Sequence, residues 1–151
     1  MSHNPVNHPA RPIYRTISGL TGLYLGAFGV LGVLQTGGGE FFAQDDTQVL
    51  GQGTNFGHSV ISLVLGAIVL LGTIIGRNVD VAINKVFGYL FMALGLAELA
   101  ILRTDANYLN FSEVTSIVAM IIGLVLLMAG MYGKVGTEEE VKAWQQARLL
   151  L

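Results

Sequence analysis

Four uninterrupted apolar runs, Thr16–Leu34, Phe56–Ile75, Ala82–Leu102 and Val114–Met131, dominate the chain. Each has about the 17–25 residues needed to cross the hydrocarbon layer of a bilayer. A segment in hydrocarbon has no water for its backbone to bond, so it must be a helix or a strand of a closed barrel. Continuous rather than alternating apolarity selects the helix. The expected fold is all-α, an integral membrane bundle of four antiparallel transmembrane helices over residues 16–133. A cytoplasmic segment, 1–15, precedes it and a tail, 134–151, follows. Four such spans take up most of the 151 residues, which leaves no room for a separate catalytic domain, and only 12% of the residues are charged, against about a quarter in a soluble domain.

The first run is read as a retained helix rather than a signal peptide. Three prolines precede it, and Thr36-Gly37-Gly38-Gly39 follows in place of a small-residue cleavage pattern. Orientation follows from the basic residues. Arg11, Arg15, Arg77, Lys85, Lys134, Lys142 and Arg148 fall on one side of the four spans and only Arg103 on the other. Lysine and arginine are retained in the cytoplasm, so both termini are expected inside. The loop 35–55, with Glu40, Asp45 and Asp46 and no basic residue, is expected outside as a flexible linker. Phe41, Phe42, Phe56, Tyr108 and Phe111 mark the outer boundary, and Tyr14, Phe87, Tyr132 and Trp144 the inner one. After Lys134, Thr137 and Glu140 have the spacing of a capping box. A short amphipathic helix is expected there, with Val141, Trp144, Ala147 and Leu151 against the membrane surface.

Each span carries a seam of small or polar residues. Gly19, Gly22, Gly26 and Gly29 share one face of helix one, and Asn55, His58, Ser62, Gly66, Thr73 and Gly76 one face of helix two. Helix three aligns Asn84, Gly88, Gly95 and Glu98; helix four aligns Ser112, Thr115, Ser116, Ala119, Gly123 and Gly130. Membrane helices associate by close packing of small residues and by interhelical hydrogen bonds, so the seams predict a tight bundle. The remaining pairs Gly72/Gly76 and Ala129/Gly133 are expected to face a partner protein.

Few residues offer chemistry. Glu98 is the one charged residue well inside a predicted span, and an intramembrane carboxylate is a functional candidate by default. His58 lies at similar depth, and a six-residue connection between helices two and three places the two side chains within reach of each other. Glu113 and Arg103 lie near the same rim. A histidine and a carboxylate can relay protons or simply fix helix register. His58 and Ser62, one turn apart, lack an oxyanion-hole motif. No cysteine is present, which removes disulfides, thiolate catalysis, iron–sulfur clusters and Cys-ligated zinc. His3 and His8 lie in the N-terminal segment, so a bis-histidine haem within one chain is excluded. No metal signature and no Walker or Rossmann pattern occurs, so no cofactor is expected. The net charge of −2 argues against nucleic acid.

The pattern Ser18-Gly19-Leu20 to Gly29-Val30-Leu31-Gly32 in helix one, with Asn55-Phe56-Gly57-His58 leading to Gly66 in helix two, resembles a family of small four-helix membrane proteins of unknown function found mainly in actinobacteria. The likeness covers most of Tyr14–Tyr132. In that family helix four often opens with a second polar segment containing histidine. Here Asp105-Ala106-Asn107 keeps that polar character, whereas Ser112-Glu113 stands where the histidine is expected, which speaks against a two-histidine site. The resemblance implies a bacterial plasma membrane and supplies no reaction. The resulting expectation is a non-catalytic accessory or scaffold subunit of a larger membrane assembly, in contact with lipid and other integral membrane proteins or with further copies of itself. The alternative is a small oligomeric transporter or channel with Glu98 and His58 on an ion or proton path.

Overall fold

The computed structural model describes residues 4–149. His3 and Leu151, both invoked above, lie outside the described residues. Four long helices, α1 (Arg11–Thr36), α2 (Phe56–Ile75), α3 (Val79–Ile101) and α4 (Glu113–Tyr132), are each long and apolar enough to cross a membrane. A two-stranded hairpin, β1 (Gln48–Val49) and β2 (Gln52–Gly53), sits between α1 and α2, and a tail helix, α5 (Glu138–Leu149), ends the described chain.

Two boundaries differ from the sequence expectation. α1 starts at Arg11 rather than Thr16, with Pro12 in its first turn, where proline's missing N–H costs nothing. The arginines expected in a preceding segment are therefore helical. α3 starts at Val79 rather than Ala82, because the link from α2 is only Gly76-Arg77-Asn78, all three left-handed at φ 64°, 52° and 71°. Asp80, expected in the loop, is thus a buried residue of α3, so Glu98 is not the sole carboxyl inside the bundle.

The bundle is built as two hairpins. α1 packs closely on α2 and α3 on α4, while contacts between α2 and α3 are sparser despite their short link. Small residues bring the paired backbones together. A Cβ added to Gly66 would lie 2.5 Å from the Gly26 nitrogen and 2.8 Å from the Gly22 carbonyl, and one on Gly123 2.7 Å from the Met92 nitrogen. Gly29 meets Leu63 and Gly22 meets Leu70 across the first crossing, while Gly88 meets Leu127 and Gly95 meets Met120 across the second. Gly19 makes ordinary contact with Thr73, and Ser62 is buried in α2. Gly26 is different: it receives Gly66, yet a Cβ of its own would meet nothing. Gly32, absent from the predicted seam, presses on Ser59. The pairs assigned to a partner face are internal, since Gly72 abuts Ile83, Gly76 abuts Arg15, Gly133 abuts Val81 and Ala129 is buried. Leu25, Val69, Phe91, Ala119, Ile122 and Leu126 form the core.

Polar bonding concentrates at the two ends. At the end holding both termini, Arg15 donates from Nε to the Thr73 carbonyl (2.8 Å) and from Nη2 to that of Ile74 (3.0 Å), capping α2. Arg11 donates from Nε to the Gly133 carbonyl beyond α4 (2.9 Å) and pairs with Asp80 at 3.6 Å. Ser18 donates to Asn84 Oδ1 (2.8 Å) and lies 3.2 Å from the Thr73 hydroxyl, joining α1, α2 and α3. Asn7 and Asn78 exchange paired bonds with Gly136 and Val135. His8 packs on Tyr14 and Tyr132, so the segment before α1 is part of the packed structure. Thr137 and Glu140 form the expected reciprocal cap of α5, with Lys134 2.9 Å from Glu140.

Two outcomes follow. Gly66→Ala should cost about 1–3 kcal/mol of stability, the usual penalty for overpacking, whereas Gly26→Ala should be neutral or gain up to about 1 kcal/mol from helix propensity; thermal unfolding in one detergent compares them. The Lys134 hydrogen bond, the Thr137 N–H and the Lys134 charge hold the Glu140 carboxyl below its usual 4.5. A depressed carboxylate contributes stability above its unfolded pKa and loses it as pH falls through the folded one. Amide-exchange protection factors in the first turn of α5, corrected for the intrinsic pH dependence of exchange, should therefore fall below about pH 4.5, and Glu140→Gln should abolish that step.

Candidate functional site

The end opposite the termini is organised by Asn55. Its Oδ1 accepts the His58 N–H at 2.9 Å, capping α2, which gives the Asn-x-x-His spacing a structural reason. Its Nδ2 donates to the carbonyls of Ala43 (3.1 Å) and Tyr108 (2.8 Å), so one buried amide holds both interhelical loops. Asn107 repeats the device with Leu102 and Phe111, and Asn110 with Asp45 and Thr54. The loop expected to be a flexible linker is instead a fitted cover. Leu50 and Gly51 turn the hairpin with φ of 51° and 77°, the left-handed pair of a tight turn, and Val49 and Thr54 are buried. Ser112 and Thr115 cap α4 and bind both polar groups of the Gly53 backbone.

Under this cover lies a cavity of about 30 Å³, lined from α1 by Tyr24, Leu25 and Phe28, from β2 by Gln52, from α2 by His58 and Ser62, from α3 by Phe91 and Glu98, and from α4 by Thr115, Val118, Ala119 and Ile122. A water molecule needs roughly 10–15 Å³ on this measure, so about two fit. The His58 ring sits between Phe28 and Phe111, 5.2 and 5.1 Å from their centres. Phe111 is thus turned toward the bundle rather than a boundary anchor only. Gly53 is the backbone hydrogen-bond partner of the imidazole, and Ser116 the side-chain partner of Glu98. His58 Nδ1 and Glu98 Oε2 are nevertheless buried without a partner. Gln52 Nε2 donates to the Tyr24 hydroxyl at 2.6 Å.

The four polar candidates divide into two places. His58 and Glu98 line one cavity without a direct bond to each other. Arg103 and Glu113 pair with each other at 3.6 Å on the exposed rim, where an ion pair contributes little. Among the described residues, no three His, Cys, Asp or Glu side chains are grouped to hold a metal ion. Sequence reasoning missed Tyr24 and Gln52, since nothing local tells that the hairpin carries Gln52 back to α1. It also missed Ser18, although a serine one residue before a glycine seam was a legible signal.

The chain matches the family model described as "Domain of unknown function (DUF4383)" over residues 15–135. It belongs to that family. The matched region runs from Arg15 to Val135, so the DUF4383 unit comprises the four-helix bundle with both covering loops, and α5 lies beyond it. No curated protein and no solved structure matches the chain.

Four substitutions separate the parts of this DUF4383 site. Asn55→Ala removes a helix cap worth about 0.5–2 kcal/mol and strands two loop carbonyls, so it should destabilise more than His58→Gln. Glu98→Gln should be tolerated better than Glu98→Leu, which forfeits an interhelical hydrogen bond of about 0.6–2 kcal/mol. Unfolding in mild detergent ranks all four; a ranking with His58→Gln worse than Asn55→Ala would contradict the assignment of Asn55 as organiser.

Proposed function

We propose that this multi-pass membrane protein is a non-catalytic accessory or scaffold subunit of a larger assembly in the bacterial plasma membrane, with both termini cytoplasmic. The observation that carries the reading is the outward face of α3. Ala93, Ala97 and Ala100 are all exposed there, on the side of the helix turned away from Gly88, Gly95 and Glu98. Their i, i+4, i+7 spacing aligns them, and small side chains let a second membrane helix approach closely. The glycine seams are consumed inside the bundle, so this alanine stripe is the surface left for a neighbouring helix.

A transport role has less support. Going along the bundle from the His58–Glu98 cavity to the Ser18–Thr73–Asn84 cluster, the chain places Val69 and Leu126, both fully buried. A conducting path needs polar groups through its depth, and this apolar plug separates the two polar layers. Support for the orientation comes from the basic residues: Arg11, Arg15, Arg77, Lys85, Lys134 and Lys142 lie toward the end with the termini, and Arg103 toward the other.

Cysteines introduced for Glu40 and Asp105, both exposed, should react with an impermeant thiol reagent on intact cells, and one for Glu139 should not. Reversed labelling overturns the orientation. In gentle extracts the wild type should migrate on native gels with a larger complex, and mass spectrometry should find integral membrane partners or further copies of the chain. Ala97→Phe should release it without lowering its melting temperature, while Leu124→Ala on exposed α4 should not. Migration of the wild type as a lone 16.1 kDa chain would overturn the scaffold reading.

A further inference from the structure

We infer that the cavity under the hairpin is a binding site for one ammonium ion, a small hydrogen-bond-donating monocation, held between His58 Nδ1 and Glu98 Oε2. This goes beyond the scaffold reading and does not depend on it. Most of the polar lining is already bonded. The Tyr24 hydroxyl accepts from Gln52, and Thr115 Oγ1 donates to the Gly53 carbonyl at 3.1 Å and accepts the Ser112 N–H at 3.2 Å. His58 Nδ1 and Glu98 Oε2 are the two buried side-chain atoms here that have no partner. A carboxylate oxygen and the bare nitrogen of a neutral imidazole are both acceptors, so the complementary occupant is a donor to each.

Charge and size narrow the class. The groups facing Glu98 across the cavity are Tyr24 and Phe28 from α1, Gln52 from the hairpin, His58 and Ser62 from α2 and Thr115 from α4, with no lysine or arginine among them. Glu98 itself is 5% exposed. A buried carboxylate without a counter-charge is costly and is neutralised by a bound proton or a bound cation. A monocation brings the site to zero, whereas a divalent metal leaves one uncompensated positive charge within a membrane span. Alkali ions favour a shell of oxygens, and an imidazole nitrogen supplies none. A cavity of about 30 Å³ accepts an ion of water size and excludes organic amines.

The test uses the full chain in lipid nanodiscs. Ammonium chloride is titrated against sodium chloride at constant pH and ionic strength, with melting temperature as one readout and the ring-nitrogen resonances of His58 as the other. Ammonium should raise the melting temperature saturably, as mass action requires for a ligand of the folded state, and sodium should not. Glu98→Gln and His58→Gln should each lose the response. If ammonium has no effect and acidification alone stabilises the wild type, Glu98 is neutralised by a proton and the proposal is overturned. Identical responses of all three proteins to ammonium, sodium and pH overturn the proposal and leave a cavity that holds water only. Should a variant fail to fold, the wild-type resonances decide: a His58 shift with ammonium but not with sodium at constant pH supports the site, and none with either overturns it.

Discussion

In a bilayer no water waits to satisfy a stray carbonyl or N–H, and this requirement shapes both ends of the bundle. A helix leaves four orphan groups at each terminus, and a four-helix protein must cover all of them near the membrane boundary. Two arginines of α1 serve that purpose at the end with the termini, Arg15 on α2 and Arg11 just beyond α4. Arginine suits the task because its planar fork of donors never loses its charge and its stem is apolar. At the other end, asparagine amides do the same work. Asn55, Asn107 and Asn110 each donate to two loop carbonyls, which turns the loops into fixed covers.

With the ends secured, the middle is held by shape. Each hairpin crosses where glycine opposes backbone, Gly66 against Gly22 and Gly26 in one, and Gly123 against Gly88 and Met92 in the other. Lipid is as apolar as leucine, so only the closeness of such contacts favours helix over lipid as a neighbour. Between the crossings the core reduces to a few side chains, with Val69 and Leu126 closing the bundle. The His58–Glu98 pocket lies beneath the hairpin and shares Leu25, Phe91, Ala119 and Ile122 with that core.

The legible part of the sequence was the part governed by local periodicity. Four spans, the faces bearing Gly66, Gly88, Gly95 and Glu98, and the Thr137–Glu140 cap depend on spacing within one segment, and the structure has them at those positions. What escaped were decisions that couple distant segments. The early start of α1 reflects arginines bonded to backbone carbonyls 58 and 122 residues away in sequence. The burial of Asp80 follows from a three-residue link whose left-handed turns no span count reveals. Gly72 and Ala129 looked spare because the partners that cover them are set by which helices pair.

The sequence by itself determined that this chain crosses a membrane four times as helices, since hydrocarbon permits no other form for long apolar runs. It also determined which face of each helix is narrow enough for close approach. Only the tertiary structure decided that α1 pairs with α2 and α3 with α4, that the glycine-rich loop folds into a cover, and that Gln52, Tyr24, His58 and Glu98 meet around one small cavity. The reason is that helix pairing depends on the fit of two surfaces and on hydrogen bonds across more than 50 residues of chain, and neither is encoded in the period of any single segment.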